Sequence, residues 1–225
     1  MFRLLEKELQ AILAACEQIP ISVLVVGAYS IRAYDCLLRV SQDLDLAVRS
    51  ENWQALKNIL TSQGYSIVSD GTFWITAIKG SGESQIEINV ALNGITDLNS
   101  ASTFLITELR PEFRQPSGLD FPLPVLSLEG VFITKLIAQR EKDVVDLLSI
   151  LLLKPNHLNP QRFWYEAEES GLTRKLPSRL DELVKRIRDG EAMSIWYQQM
   201  ELILSEAETE SALAQLHRLQ QSYPY

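Results

Sequence analysis

Two hydrophobic periodicities, one helical and one of strands, alternate along the first half of the chain. Leu5, Leu9, Ile12 and Leu13 recur at the spacing of one helix face. The β-branched run at 21–26 is typical of a buried strand. The same patterns, with the turn residues between them, predict helices at 2–17, 28–37 and 51–63 and strands at 21–26, 43–48, 65–69, 73–79 and 85–92.

The second half has a different pattern. Prolines at 111, 116, 122 and 124 predict a non-helical connector over about 111–125. After the connector, helical spacing predicts helices at 126–153, 160–170, 178–189, 193–205 and 208–222. We therefore predict an α+β protein with an α/β domain at 1–110 and a helical C-terminal domain at 111–225.

Composition narrows the classes of function. The 225 residues are 46% hydrophobic and 22% charged, which is typical of a folded globular protein rather than a disordered one. The net charge of −8 argues against a protein that coats nucleic acid by neutralising many phosphates. Residues 174–188 carry a local excess of basic side chains, for which an RNA contact and a solvated helix surface both remain open.

Candidate chemistry begins at the second predicted strand. Asp43 and Asp45 are two positions apart, so both carboxylates point to one face of that strand. Two close carboxylates repel each other unless a cation lies between them, and Mg²⁺ suits such a site together with substrate phosphates. Upstream, Gly27 and Ser30 lie where a strand turns into a helix, a place that favours anions. This layout is the one needed for phosphoryl or nucleotidyl transfer.

A third carboxylate stands on another apolar strand. Glu87 shares a strand face with Gln85 and Asn89. If this face adjoins that of Asp43 and Asp45, Glu87 can help to hold a metal ion and accept a proton from an attacking hydroxyl. A carboxylate that faces water from an edge strand is the alternative.

These motifs resemble a known family. The order G-x-x-S, then R-x-S-x-D-L-D, then a later strand carboxylate resembles the nucleotidyltransferase fold of the polymerase-β type. Lys135 followed by R-E-K-D-V-V-D-L at 140–147 is similar to a motif of abortive-infection-type toxin nucleotidyltransferases and their uncharacterised relatives. The resemblance covers about residues 21–153, and it implies a mixed sheet flanked by helices, with a helical C-terminal domain.

The resemblance also implies an activity. A nucleoside monophosphate would move from an NTP to an acceptor hydroxyl, and pyrophosphate would be released. Two Mg²⁺ ions would be held by the catalytic carboxylates Asp43, Asp45 and Glu87. The residues implied near the nucleotide are Gly27, Ala28 and Ser30 at the triphosphate, Arg39 and Ser41 beside the aspartate strand, and Lys135, Arg140 and Asp143 at the phosphates or orienting the site.

Three positions depart from the usual motif. Ala28 replaces a second glycine, Cys36 replaces another glycine, and Glu87 replaces the more usual aspartate. These departures keep open a second hypothesis, a catalytically silent relative that binds a nucleotide or a partner protein.

Other expectations concern partners and location. The acceptor could be an RNA 3′ end, a protein or a small molecule, and the resemblance suggests an antitoxin-like partner. The apolar run at 21–28 is too short to span a bilayer, so we expect no membrane association and a cytoplasmic location.

Overall fold

The structure is a computed structural model that describes residues 2–19, 21–36, 41, 43–106, 111–153 and 157–223. Its helices are α1 (Phe2–Glu17), α2 (Gly27–Arg32), α3 (Ser50–Ser62), α4 (Leu128–Ala138), α5 (Glu141–Leu153), α6 (Pro160–Glu169), α7 (Leu176–Arg188), α8 (Glu191–Met200) and α9 (Glu206–Gln221). Its strands are β1 (Val23–Val26), β2 (Asp43–Val48), β3 (Ser66–Asp70), β4 (Trp74–Lys79), β5 (Ile86–Leu92), β6 (Gly94–Asp97), β7 (Ser102–Leu105), β8 (Glu112–Arg114) and β9 (Leu123–Val125). None of the described helices is long and apolar enough to cross a bilayer.

Seven strands form one sheet in the order β3-β4-β5-β2-β1-β9-β8. The pairs β2–β5 and β1–β9 are parallel, whereas β1–β2, β4–β5, β3–β4 and β8–β9 are antiparallel. This mixed sheet, with its helices, confirms the predicted α+β class. The strands β6 and β7 form a separate hairpin that the hydrophobic pattern did not predict.

The proline-rich connector contains two strands of the main sheet. β8 forms one edge of the sheet, and its Phe113 lies opposite Pro124 of the neighbouring strand β9. A proline gives no backbone N–H to the ladder, so these residues carry no ordinary strand pattern. The prediction of a non-helical segment was right, but its strands were not recognised.

One predicted helix is two helices in the structure. The interval 126–153 is interrupted after α4 by Gln139, whose φ of 44° and ψ of 32° are left-handed. Two contacts from α7 hold this residue: the Gln139 side chain donates to the Arg179 carbonyl at 2.7 Å, and Arg186 donates to the Gln139 carbonyl at 2.9 Å. The break contains neither Gly nor Pro. It is stabilised by residues distant in sequence, so the local sequence carries no signal of it.

The described chain forms two compact units, each discontinuous in sequence. The first comprises Met1–Ala33, Val40–Thr96 and Leu105–Leu126, and the second Tyr34–Arg39, Asp97–Phe104 and Ser127–Tyr225. The domains at 1–110 and 111–225 stay a prediction, since a compact unit need not be a segment that folds alone.

Each unit has its own core. In the first, α1 packs against α3 and β2, and Leu44 and Leu46 are fully buried. In the second, α5 packs against α4, α8 and α9. Strand alternation therefore leaves Asp43 and Asp45 on the opposite sheet face from Leu44 and Leu46, where both aspartates are half-buried.

Candidate active site

The sheet brings three predicted carboxylates to neighbouring positions of the first unit. Asp43 is the direct partner of Glu87 in the parallel pair β2–β5, and Asp45 is the partner of Asn89. Partners in a parallel pair lie on the same sheet face. All four side chains are half-buried. The register thus makes one polar face from two strands whose other residues are mostly buried and apolar.

Gly27 closes one side of this face. Val26, the residue before it, pairs with Asp45 across β1 and β2. Gly27 has a φ of +65°, and a Cβ added there would lie 1.9 Å from Asp45 Oδ2. Only a residue without a side chain allows the backbone turn and the Asp45 carboxylate to be this close.

Two serines act as local supports. The Ser30 hydroxyl donates to the Gly27 carbonyl at 2.7 Å and thereby closes the turn. The buried Ser41 hydroxyl donates to Asp43 Oδ1, also at 2.7 Å, and fixes that carboxylate. Ala28 is buried in α2. The predicted residue Arg39 lies outside the described residues.

A chain of hydrogen bonds also reaches Glu87. The Asn89 amide donates to Glu87 Oε1 at 3.2 Å, and the Thr76 hydroxyl on β4 donates to Asn89 Oδ1 at 3.1 Å. The strand pattern places Asn89 on the Glu87 face without indicating a role for it, and no sequence pattern points to Thr76. Strand alternation could point to Asn89, whereas Thr76 becomes a neighbour only through the register of β4 and β5.

In this structure the carboxylates of Asp43, Asp45 and Glu87 do not converge to form a metal site. Among the described residues, no group of three or more His, Cys, Asp and Glu side chains is arranged to hold a metal ion. The donor chemistry nevertheless fits Mg²⁺, which prefers carboxylate oxygens and takes one or two of them together with substrate phosphates.

The second unit contains the other predicted charged residues, which are joined in one cluster. Lys135 on α4 lies 3.3 Å from Asp143 and 2.7 Å from Asp146, and all three side chains are at most 7% exposed. Arg140 pairs with Asp143 at 2.7 Å, and 52% of its side chain is exposed. The nucleotide roles of Lys135, Arg140 and Asp143 stay predictions.

Charge and backbone explain the position of Asp143. Burial raises the pKa of its carboxyl, but the charges and hydrogen bonds of Lys135 and Arg140 outweigh burial and hold that pKa below its usual range. The carboxylate also accepts the Arg140 backbone N–H at 3.2 Å, three residues before it. Asp143 thus caps the first turn of α5.

The basic stretch of the second unit is largely engaged within the protein. Arg179 pairs with Glu182 and Arg186 with Glu191. Lys175 donates to the Ser102 hydroxyl at 3.1 Å. These contacts favour a self-compensated helix surface over an RNA contact.

Comparisons with known proteins extend this picture. The family model described as "Nucleotidyl transferase AbiEii toxin, Type IV TA system" matches residues 11–221. No curated protein matches the chain by sequence.

Solved structures share the fold at low identity. JHP933 from Helicobacter pylori has a TM-score of 0.57 and 14% identity, over 97% of this chain and 91% of that one. The lincosamide antibiotic adenylyltransferase LnuA, with lincomycin bound, has a TM-score of 0.50 and 16% identity, over 66% and 98%. An antigenic nucleotidyltransferase-like protein from Paracoccidioides brasiliensis has a TM-score of 0.50 and 15% identity, over 88% and 97%.

These findings confirm the resemblance drawn from the motifs. The family match also includes residues 154–221, which lie outside the interval 21–153 that the motifs covered. The chain belongs to the nucleotidyl transferase AbiEii toxin family of type IV toxin–antitoxin systems, and it is therefore a nucleotidyltransferase.

Proposed function

We propose that this protein transfers a nucleoside monophosphate from an NTP to an acceptor hydroxyl, with Mg²⁺ and with release of pyrophosphate. One observation carries the proposal: Asp43, Asp45 and Glu87 lie on one sheet face, in adjacent register, beside the Gly27 turn. Carboxylates next to a tight glycine turn suit a metal-bound triphosphate.

Asp43 and Asp45 would hold the metal ion, and Glu87 would join them when the nucleotide is bound. A metal ion held there would neutralise negative charge on the triphosphate and on the pyrophosphate leaving group. Ser41 keeps the Asp43 carboxylate fixed through its 2.7 Å hydrogen bond. Gly27 leaves room for Asp45, and Glu87 accepts the proton of the attacking hydroxyl.

Nucleotide contacts by Ala28, Ser30 and Arg39 belong to the same proposal. Ser30 supports the turn through the Gly27 carbonyl, so its contribution is to keep the turn closed. In the second unit, Lys135 and Asp143 maintain the junction of α4 and α5. Arg140 keeps half of its side chain exposed and is the member of that cluster best able to contact a phosphate.

The family sets the biological frame of the proposal. Membership of a type IV toxin–antitoxin family supports an antitoxin partner, and an NTP substrate is consistent with a cytoplasmic location. The acceptor is an RNA 3′ end, a protein hydroxyl or a small-molecule hydroxyl.

A second candidate function is a silent relative that binds a nucleotide or a partner protein without transfer. It is favoured by the separation of the three carboxylates, which form no metal-binding group among the described residues. A binding measurement followed by a turnover measurement separates the two candidates.

Calorimetry with a non-hydrolysable ATP analogue and each of the other NTPs, with and without Mg²⁺, tests the proposal. We expect Mg²⁺-dependent binding by the wild type and its loss in Asp43→Asn/Asp45→Asn. Asp120→Asn, at an exposed aspartate of the same unit, is the matched control and should bind as the wild type does. Absence of binding by the wild type under every condition would refute the proposal.

Turnover is measured in two assays. One detects the release of pyrophosphate, and the other detects transfer of label from α-labelled NTPs to RNA, protein and small-molecule acceptors. Label transfer that requires Asp43 and Asp45 supports the enzyme. Binding with no transfer to any acceptor class supports the silent relative.

A further inference from the structure

Three polar side chains, Thr76, Asn89 and the proposed metal ligand Glu87, form a row of hydrogen bonds across strands β4 and β5. Thr76 on β4 donates to Asn89 on β5 at 3.1 Å, and Asn89 donates to Glu87 Oε1 at 3.2 Å. The register supports the first contact, since Thr76 is the direct partner of Asn89 in the antiparallel pair β4–β5. Glu87 and Asn89 are two apart on one strand and therefore share a face.

The carboxylate of Glu87, at the end of this row, fixes the direction of both hydrogen bonds. An ionised carboxylate only accepts hydrogen bonds, so the NH₂ group of Asn89 must face Glu87. The carbonyl oxygen of Asn89 then faces Thr76, whose hydroxyl must donate. The two bonds thus define one orientation of the amide.

The platform beneath this chain is rigid. Ile75 and Ala77 flank Thr76 on β4, Ile88 lies between Glu87 and Asn89, and all three are fully buried. β4 and β5 pair without interruption from Trp74↔Ala91 to Lys79↔Ile86. A polar group anchored on two such strands keeps its position better than one on a loop.

Glu87 needs such an anchor. A glutamate carboxylate is separated from the backbone by three rotatable bonds, one more than in an aspartate, and ordering it costs more conformational entropy. Asn89 holds one of its two oxygens. Asp43, the register partner of Glu87, is held in a comparable way by Ser41.

We propose that Asn89, held by Thr76, is a positioning residue that orients the Glu87 carboxylate for metal and nucleotide. This inference rests on the proposed function, because it assumes that Glu87 joins the metal site. Asn89 acts through Glu87 and contacts neither metal nor nucleotide itself.

Metal affinity is the measurement that tests this role. Mn²⁺, used as a spectroscopic substitute for Mg²⁺, is titrated into the full chain with a non-hydrolysable ATP analogue. Loss of a hydrogen bond that orients a metal ligand commonly weakens affinity by about 10–100-fold. We expect at least about tenfold weaker Mn²⁺ binding in Asn89→Ala.

Variants of Thr76 form a matched pair. Thr76→Val has nearly the same shape and suits a strand but has no hydroxyl, whereas Thr76→Ser keeps the hydroxyl. Thr76→Val should weaken Mn²⁺ binding, and Thr76→Ser should restore most of it. Ile78→Val, opposite Glu87 on β4, controls for a change of packing and should bind as the wild type does.

A double-mutant cycle shows whether Asn89 acts through Glu87. In a Glu87→Gln background, Asn89→Ala should have little further effect on Mn²⁺ affinity, because the ligand it orients is already lost. Independent, additive losses from the two substitutions would overturn the proposal.

The two proposals fail in different ways. Equal Mn²⁺ affinity in wild type and Asn89→Ala, both folded by their thermal unfolding midpoints, would overturn the role of Asn89 and leave the proposed function standing. Absence of Mn²⁺ and nucleotide binding in the wild type would overturn both.

Discussion

Carboxylates on strands β2 and β5 and carboxylates on helix α5 both interrupt apolar elements, but in different surroundings. On the strands, Asp43 and Glu87 are half-buried and held by neutral groups, the Ser41 hydroxyl and the Asn89 amide. On the helix, Asp143 and Asp146 are buried and paired with Lys135.

The difference separates the carboxylates at which we propose a metal ion from those that already face the ammonium group of Lys135. A buried carboxylate without compensation is very costly, and the charge of Lys135, together with Arg140 at Asp143, offsets this cost for the α5 aspartates. The strand carboxylates are half-buried and in contact with water, so they tolerate their charge without a bound cation, as the proposed site for a metal ion and a nucleotide requires. In the sequence the two groups look alike, since each is a set of charges within an apolar run.

The largest expected effect is on the helix cluster. Lys135→Met should lower the free energy of unfolding by about 3–5 kcal/mol, because the buried Asp143 and Asp146 both lose the ammonium group that faces them. Lys142→Met, at an exposed lysine on the same helix junction, should change it by less than about 0.5 kcal/mol. Urea unfolding at pH 7 measures both, and equal values would show that Lys135 is not the compensating charge.

The next effect is at the glycine beside Asp45. Gly27→Ala should cost about 2–4 kcal/mol, since it adds a clash with Asp45 to the strain of a positive φ. Gly82 has a φ of +60° with open space around its Cβ position, so Gly82→Ala should cost only about 1–2 kcal/mol. Denaturant unfolding of both variants isolates the clash, and a Gly27→Ala cost no larger than that of Gly82→Ala would contradict it.

A smaller, pH-dependent effect is expected at Asp143. Its pKa is lower in the folded protein than in the unfolded chain, so its ionised form stabilises the fold above the ordinary carboxyl pKa. Asp143→Asn should therefore cost about 1.5–3 kcal/mol at pH 7. The difference from wild type should shrink as the pH falls below the ordinary carboxyl pKa and through the folded pKa of Asp143.

Unfolding curves of wild type and Asp143→Asn at matched ionic strength, from pH 7 to pH 2.5, check this sign. A difference that grew on acidification would mean that burial, and not the charges of Lys135 and Arg140, sets the pKa of Asp143.

The smallest effect on stability is expected at Arg140, because half of its side chain is exposed. Arg140→Gln should lower the free energy of unfolding by no more than about 1 kcal/mol. If Arg140 also contacts a phosphate, nucleotide affinity measured by calorimetry should fall more than stability does. Unchanged nucleotide affinity would restrict Arg140 to the helix cluster.

Local patterns predicted the regular elements well. The predicted intervals 2–17 and 43–48 have the same bounds as α1 and β2. Their hydrophobic spacing is sustained for several turns or alternations, and burial enforces it. β8 and β9 have three residues each and include a proline, so they offered no periodicity to detect.

The candidate site was predicted in composition but not in geometry. The spacing of Asp43 and Asp45 established their common face, and the family confirms the type of enzyme. The pairing of Asp43 with Glu87, the closeness of Gly27 to Asp45 and the contact of Thr76 with Asn89 all depend on strand register. A register joins segments that are tens of residues apart, and no local pattern encodes it.

The amino-acid sequence alone sets which residues are apolar, which long periodic segments form strands and helices, and which motifs carry the chemistry of nucleotidyl transfer. Only the tertiary structure distinguishes the half-buried carboxylates of β2 and β5 from the buried carboxylates that pair with Lys135. Periodicity is a property of neighbours along the chain, whereas burial and charge compensation are set by residues that folding brings together.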